Sequence, residues 1–312
     1  FPKVWGHYDG NRGTKMSNTS TTMDIKSILV PLEESETLPS VLQCALLVAR
    51  DFNAYIEGLC IRPTLSGAIA VGFEGGAAAL SGTEEQFERE QVARAARLRE
   101  QFDRFIAENH LPTYSGDAPP TEACAGWVED EAPGISVFGQ RARLFEVTIV
   151  GRPMPGALTP AMNTLETVLF ESGRSILIAP PKSPAARPFR KIIIAWNGAT
   201  ETAHTIAAAM PFLSKAEEIV ILSVEGAMVP GPSGEDIAVS LRRHNIPVVV
   251  KPLPGKRTPN AAGEVMLQEC ANWGADLLVK GGYTNSRLRQ MIFGGATSHI
   301  LANAELPVLM AH

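Results

Sequence analysis

The chain runs through one pattern of hydrophobic stretches twice, and few folds can be built that way. Ile25 to Leu32 reads as a strand, an acidic turn follows, Leu38 to Arg50 reads as a helix, and Ala54 to Ile61 reads as a second strand. Far downstream the order returns, with Arg190 to Trp196 strand-like, Thr200 to Leu213 helical and Glu218 to Val224 a strand again. The two runs also close alike. Phe145 to Val150 leads into Gly151 as Asp276 to Lys280 leads into Gly281, and Ser175 to Ala179 resembles Pro307 to Ala311.

Self-similarity on this scale predicts two related α/β units. The expected divisions are a leader or expression remnant over residues 1–22 ahead of Met23, a first unit over 23–180, a linker over 181–188 near Pro180 to Pro188, and a second unit over 189–312. Each unit should hold about five mostly parallel strands with helices on both sheet faces. Right-handed crossovers would then gather the carboxyl ends of the central strands on one rim, where ligands bind in open α/β sheets. The final edge strands are expected to pair near Ile176 and Val308, giving an intramolecular pseudo-dimer and hiding their unpaired backbone groups. The first half carries extra length between its second strand and Gly151. Much of it falls in the Gly- and Ala-rich loop Pro63 to Gly82 and the charged helical stretch Thr83 to Glu108.

Composition supports a packed core: hydrophobic residues make up 45% of the 312 and charged residues 20%. A formal charge of −5 and scattered basic pairs give no electrostatic footprint for nucleic acid. Cys44, Cys60, Cys124 and Cys270 form no CxxC pair and read mostly as small apolar core groups of a reducing compartment, with a disulfide left open, rather than metal ligands. No apolar stretch is long enough to span a membrane and no secretory hydrophobic region precedes the fold, so a soluble cytoplasmic location is expected.

The densest chemistry lies in Leu277 to Gly295, LLVKGGYTNSRLRQMIFGG. A short apolar run suited to a strand buried on both faces ends in Gly281-Gly282. Thr284, Asn285 and Ser286 follow near a helix start, and Gly294-Gly295 closes the segment. Glycines at a strand-to-helix junction let backbone amides approach an anion. Lys280 and Arg287 flank the junction as candidate phosphate contacts. The first strand of the second half ends in Ala195-Trp196-Asn197-Gly198, placed by the expected topology beside Gly281. Asn197 could hydrogen-bond a ribose or cap the turn, and Trp196 could enclose a base or fill the core.

On these residues the chain resembles the universal stress protein family in its tandem-domain form, over approximately Ile25 to Ala179 and Arg190 to Ala311. The resemblance implies two five-stranded α/β domains, each a potential adenine-nucleotide site, with ATP or a related nucleotide and its associated magnesium as cofactor. The family's nucleotide-binding pattern sets a glycine, two variable residues, a second glycine, nine variable residues, then glycine with serine or threonine. Gly281 and Gly294 keep the outer spacing, while Thr284 stands for the second glycine and Gly295 for the terminal hydroxyl residue. Asn197 stands where the family carries an acidic residue, and Glu33 holds that place in the first half. There Gly151-Arg152-Pro153-Met154-Pro155-Gly156 departs further, with prolines that remove backbone donors. The resemblance therefore implies a modified site in the second half, formed by Trp196, Asn197, Lys280, Gly281, Gly282, Thr284, Asn285, Arg287, Gly294 and Gly295. It implies a degenerate site in the first.

Enzyme motifs are thin. Gly255-Lys256-Arg257-Thr258 lacks the upstream glycine of a phosphate loop, since Val250 stands there. His204 and His299 sit in no nucleophile–base arrangement, and Glu129-Asp130-Glu131 reads as a solvated turn. No catalytic residue is assigned. The expectation is a universal-stress-like regulatory protein that acts through ligand- or stress-dependent conformational or partner changes, its partner a second copy or a regulatory protein; weak ATP hydrolysis and a nucleotide-independent scaffold are the alternatives.

Overall fold

The computed structural model describes residues 24–66, 84–114, 116, 118–154, 162–254, 261–282 and 295–312. Its first run comprises β1 (Ser27–Pro31), α1 (Leu38–Phe52), β2 (Tyr55–Pro63), α2 (Glu84–Glu108), β3 (Cys124–Ala132), α3 (Ser136–Ala142), β4 (Val147–Gly151), α4 (Met162–Glu171) and β5 (Ser175–Ala179). The second comprises β6 (Lys191–Ala195), α5 (Thr200–Lys215), β7 (Glu218–Val224), α6 (Gly234–Arg242), β8 (Val249–Leu253), α7 (Ala261–Trp273), β9 (Leu277–Lys280), α8 (Ala296–Asn303) and β10 (Val308–Met310). The Pro63 to Gly82 loop lies outside the described residues after Ser66.

All ten strands join one sheet in the order β3-β2-β1-β4-β5-β10-β9-β6-β7-β8. Every neighbouring pair is parallel except β5 and β10, which run antiparallel with Ile178 opposite Val308, Leu177 opposite Leu309 and Ile176 opposite Met310. Central strands such as β4 (VTIVG) and β9 (LLVK) are buried at every position, which is why they read as mostly apolar runs instead of alternating ones.

Helices cover both faces. One core cluster links Val41, Phe102, Ile149, Ile192, Phe212 and Leu309; the other links Phe138, Leu165, Ile178, Ile193, Met266 and Ile300. Each cluster draws on both runs of the chain. Fully burying one such side chain contributes about 1.5–3 kcal/mol. Around the join, Phe52 of α1 meets Phe212 of α5 edge-on at 5.4 Å. Asp51 takes two bonds from the Arg190 guanidinium, at 2.6 and 3.0 Å, with Lys215 3.7 Å away.

Glu129, Asp130 and Glu131, expected in a turn, lie instead within edge strand β3. The cause is cross-strand charge pairing: Arg62 of β2 donates to Glu129 at 2.6 Å and reaches Glu131 at 3.6 Å, which suits acidic residues to a strand position. Charge on an exposed edge also discourages pairing with another chain. All four cysteines are free and buried, and burial pushes the Cys60 and Cys270 thiols up to about 11 and 12. Among the described residues no helix is long and apolar enough to cross a membrane, and none gather as a cluster of three metal-ligating side chains.

Candidate functional site

The carboxyl ends of β6 and β9 are hydrogen-bonded neighbours, with Ala195 opposite Lys280, so the turn after β6 and the glycine junction after β9 meet on one rim. Gly281 is packed against the start of α5. A β-carbon there would lie 2.5 Å from both the Thr202 backbone nitrogen and the Thr202 hydroxyl. The next amide, of Gly282, donates to the Ala311 carbonyl at 2.8 Å. These glycines therefore draw strand, helix and final strand together.

Gly151 plays the matching part after β4, where a β-carbon would meet the Thr37 hydroxyl at 2.3 Å, with no backbone atom among its nearest neighbours. The two sites should answer alanine differently. Thr37→Ala is expected to recover most of the stability lost in Gly151→Ala, whereas Thr202→Ala recovers little in Gly281→Ala, because the backbone nitrogen stays. We expect each glycine substitution alone to cost about 1–3 kcal/mol in urea unfolding. Equal rescue at both positions would contradict this geometry.

Asn197 spends its carboxamide oxygen locally, accepting from the Ala199 amide at 3.2 Å and the Thr202 hydroxyl at 2.6 Å. This ties down the turn into α5, whose N-cap residue, Ala199, has no capping side chain. Trp196 is 2% exposed and its indole N–H donates to the Pro232 carbonyl at 2.9 Å. That bond, together with Val229 N–H donating to the Asn197 carbonyl, folds the segment after β7 over the turn. Gly198, at φ +85°, takes a backbone shape that other residues rarely adopt, and Gly231 passes so close that a β-carbon would sit 2.6 Å from its oxygen. The segment ends in a capping box between Ser233 and Asp236 that starts α6.

Lys280 closes β9 and is 8% exposed. Its ammonium donates to the Gly281 carbonyl at 2.9 Å and to the Thr297 hydroxyl at 2.7 Å, in the first turn of α8. Among the described residues it has no ion-pair partner; Glu201 acts on it only at longer range. Burial pushes the amine down to about 8. A cation at a helix N-terminus is also opposed by the helix dipole, so the local field favours an anion. Gly295, the N-cap of α8, has φ +105°, which explains glycine where the family pattern has a hydroxyl residue. Thr284, Asn285, Arg287 and Gly294 lie outside the described residues.

In the first half, Glu33 follows β1 where Asn197 follows β6. Its carboxylate accepts from Thr164 at 2.9 Å, and burial pushes its pKa up to about 7 against that bond and the more distant Arg94. Of the residues expected at the second-half site, the structure brings Trp196, Asn197, Lys280, Gly281 and Gly282 to one rim, with Gly295 at the head of α8. Sequence reasoning missed Thr202 and Thr297; the signal available was a threonine in the first turn of each following helix. His204 is exposed and its Nδ1 contacts the His312 carbonyl, far from any nucleophile–base pair.

A mostly parallel α/β sheet flanked by helices on both faces is a fold also found among universal stress proteins. The likeness is to a universal stress protein from Archaeoglobus fulgidus DSM 4304, at 15% identity and a TM-score of 0.65, covering 92% of this chain and 96% of that one. A functionally unknown protein from Pseudomonas aeruginosa PAO1 aligns at 13% identity and a TM-score of 0.49, over 92% of each chain. Universal stress protein UspA from Lactobacillus plantarum aligns at 13% identity and a TM-score of 0.36, over 50% of this chain and 98% of its own. No protein-family profile and no curated protein sequence matches the chain.

Proposed function

We propose that the chain is a universal-stress-like regulatory protein built as two tandem domains, and that its second domain binds an adenine nucleotide, phosphate end inward, at the rim of β6 and β9. The carrying observation is Lys280, a buried ammonium without an ion-pair partner among the described residues, aimed at the first turn of α8. Its charge and that helix end would hold the phosphates, with Gly281 and Gly282 keeping the backbone close. Trp196 and Asn197 would act at one remove, shaping the wall through Pro232 and Thr202. An associated magnesium ion would be held chiefly by the phosphates, since the described residues offer no acidic cluster. The first domain would serve as architecture and partner surface, and the antiparallel join of β5 and β10 would make the chain its own pseudo-dimer.

The test is mass identification of small molecules retained by purified protein, followed by calorimetric titration with ATP, ADP and AMP. Lys280→Met is expected to weaken nucleotide binding by about tenfold or more. Nucleotide-free protein that binds none of the three would sink the reading. It would favour a nucleotide-independent scaffold, which the engaged side chains of Trp196 and Asn197 also suit. Turnover of bound ATP, lost in Lys280→Met while the fold persists, would instead make the site a weak hydrolase.

A further inference from the structure

At the other end of the join lies a second cation in an unusual state. Arg152 follows β4 directly and is 7% exposed. Among the described residues its Nε and Nη1 atoms are buried without a hydrogen-bond partner, and Nη2 reaches the Met154 sulfur at 3.2 Å, a weak acceptor. A guanidinium cannot escape this by losing its proton, as a lysine can, so the cost of burial stands until an acceptor arrives. Its backbone is held in place, the N–H donating to the Ala179 carbonyl at 2.9 Å. The same position in the second half is Gly282, whose N–H donates to Ala311, so the guanidinium is an addition to a shared frame.

From this we infer that Arg152 forms an oxyanion site at the rim of the first half, taking a ligand that presents two oxygens in one plane, as a carboxylate or a phosphoryl group does. Nε and Nη2 lie side by side on the guanidinium and make a fork of matching geometry. One tine is free and the other holds a thioether. Met154 is only partly buried and covers the fork with a flexible unbranched side chain, so it can swing aside without moving the sheet. Pro153 removes a backbone donor from the turn, which leaves the side chain as the means of holding a negative group. Glu305, exposed between α8 and β10, acts on the guanidinium electrostatically and would compete with the ligand.

The full chain would be titrated calorimetrically with inorganic phosphate and, separately, with acetate. Protein with Arg152 intact is expected to saturate with at least one; phosphate alone marks a phosphoryl ligand and acetate alone a carboxylate. Arg152→Met should abolish the response, and Arg152→Lys, which keeps the charge without the fork, should weaken it about tenfold. Glu305→Gln should tighten it several-fold. Every titration is made in the Lys280→Met background, so that phosphate taken up at the nucleotide site proposed above does not enter the response. No saturable response with Arg152 intact, or an undiminished response in Arg152→Met, would overturn the inference. So would weakening in Glu305→Gln, because Glu305 would then be a partner and not a competitor. Should Arg152→Met not fold, loss or retention of the fork-dependent response in Arg152→Lys decides the question.

Discussion

Between pH 8 and 10.5 the stability of the wild-type chain should rise by about 3 kcal/mol relative to Lys280→Met, at 1.36 kcal/mol for each pH unit between the folded and unfolded lysine. Burial disfavours the ammonium, so the folded chain holds this proton less tightly than the unfolded one. Below pH 8 both states are protonated and folding carries the whole penalty. Through the window the folded chain releases the proton first, and the penalty fades; above 10.5 it is gone. Urea unfolding of the two proteins at pH 7, 9 and 10.5 measures the difference. Other titrating groups are common to both and cancel. Methionine also deprives the Gly281 carbonyl of its donor, but that loss offsets the curves without changing their slope. Parallel curves would mean that the ammonium is solvated or paired. The same loss at neutral pH is what a bound anion would relieve, so a nucleotide should flatten the wild-type curve.

Arg141→Ala is the other large effect, expected to destabilise the chain by about 3 kcal/mol. Glu57 lies within β2 with 5% of its side chain exposed, and the Arg141 guanidinium grips both of its oxygens, at 2.7 and 2.8 Å. Removing the arginine leaves a carboxylate in the core without a counter-charge. Glu57→Gln in the same background should restore much of the loss, because the uncompensated charge is the source of the cost and not the missing pair as such. Thermal or urea unfolding of the two single variants and the double variant measures the coupling. Additive losses would show that Arg141 contributes through its packing over Phe145, which it overlies at 5.9 Å, and not through Glu57.

Much of the fold could be read from the chain because its parallel strands are buried on both faces. Runs such as Ile192 to Ala195 and Leu277 to Val279 have no other reasonable home. Glu218 to Val224 matches β7 residue for residue. Elsewhere the ends moved by a residue or two, as where α1 continues to Phe52 so that its ring can meet Phe212. The site was less legible. Lys280 and the glycine pair stand out in sequence, but what they touch is remote: Thr202 lies 79 positions before Gly281, and Pro232, which takes the Trp196 N–H, belongs to another connection. Arg152 looked like one letter in a proline-rich departure from a family pattern. Only burial without a partner sets it apart.

One antiparallel pairing in an otherwise parallel sheet has a directional result. Because β10 runs against β5, the carboxyl rim of the first half and that of the second open on opposite ends of the same slab. Glu33 and Arg152 lie at one end, Lys280 and Asn197 at the other. Ligands at the two sites proposed above would therefore enter from opposite ends of the sheet without meeting.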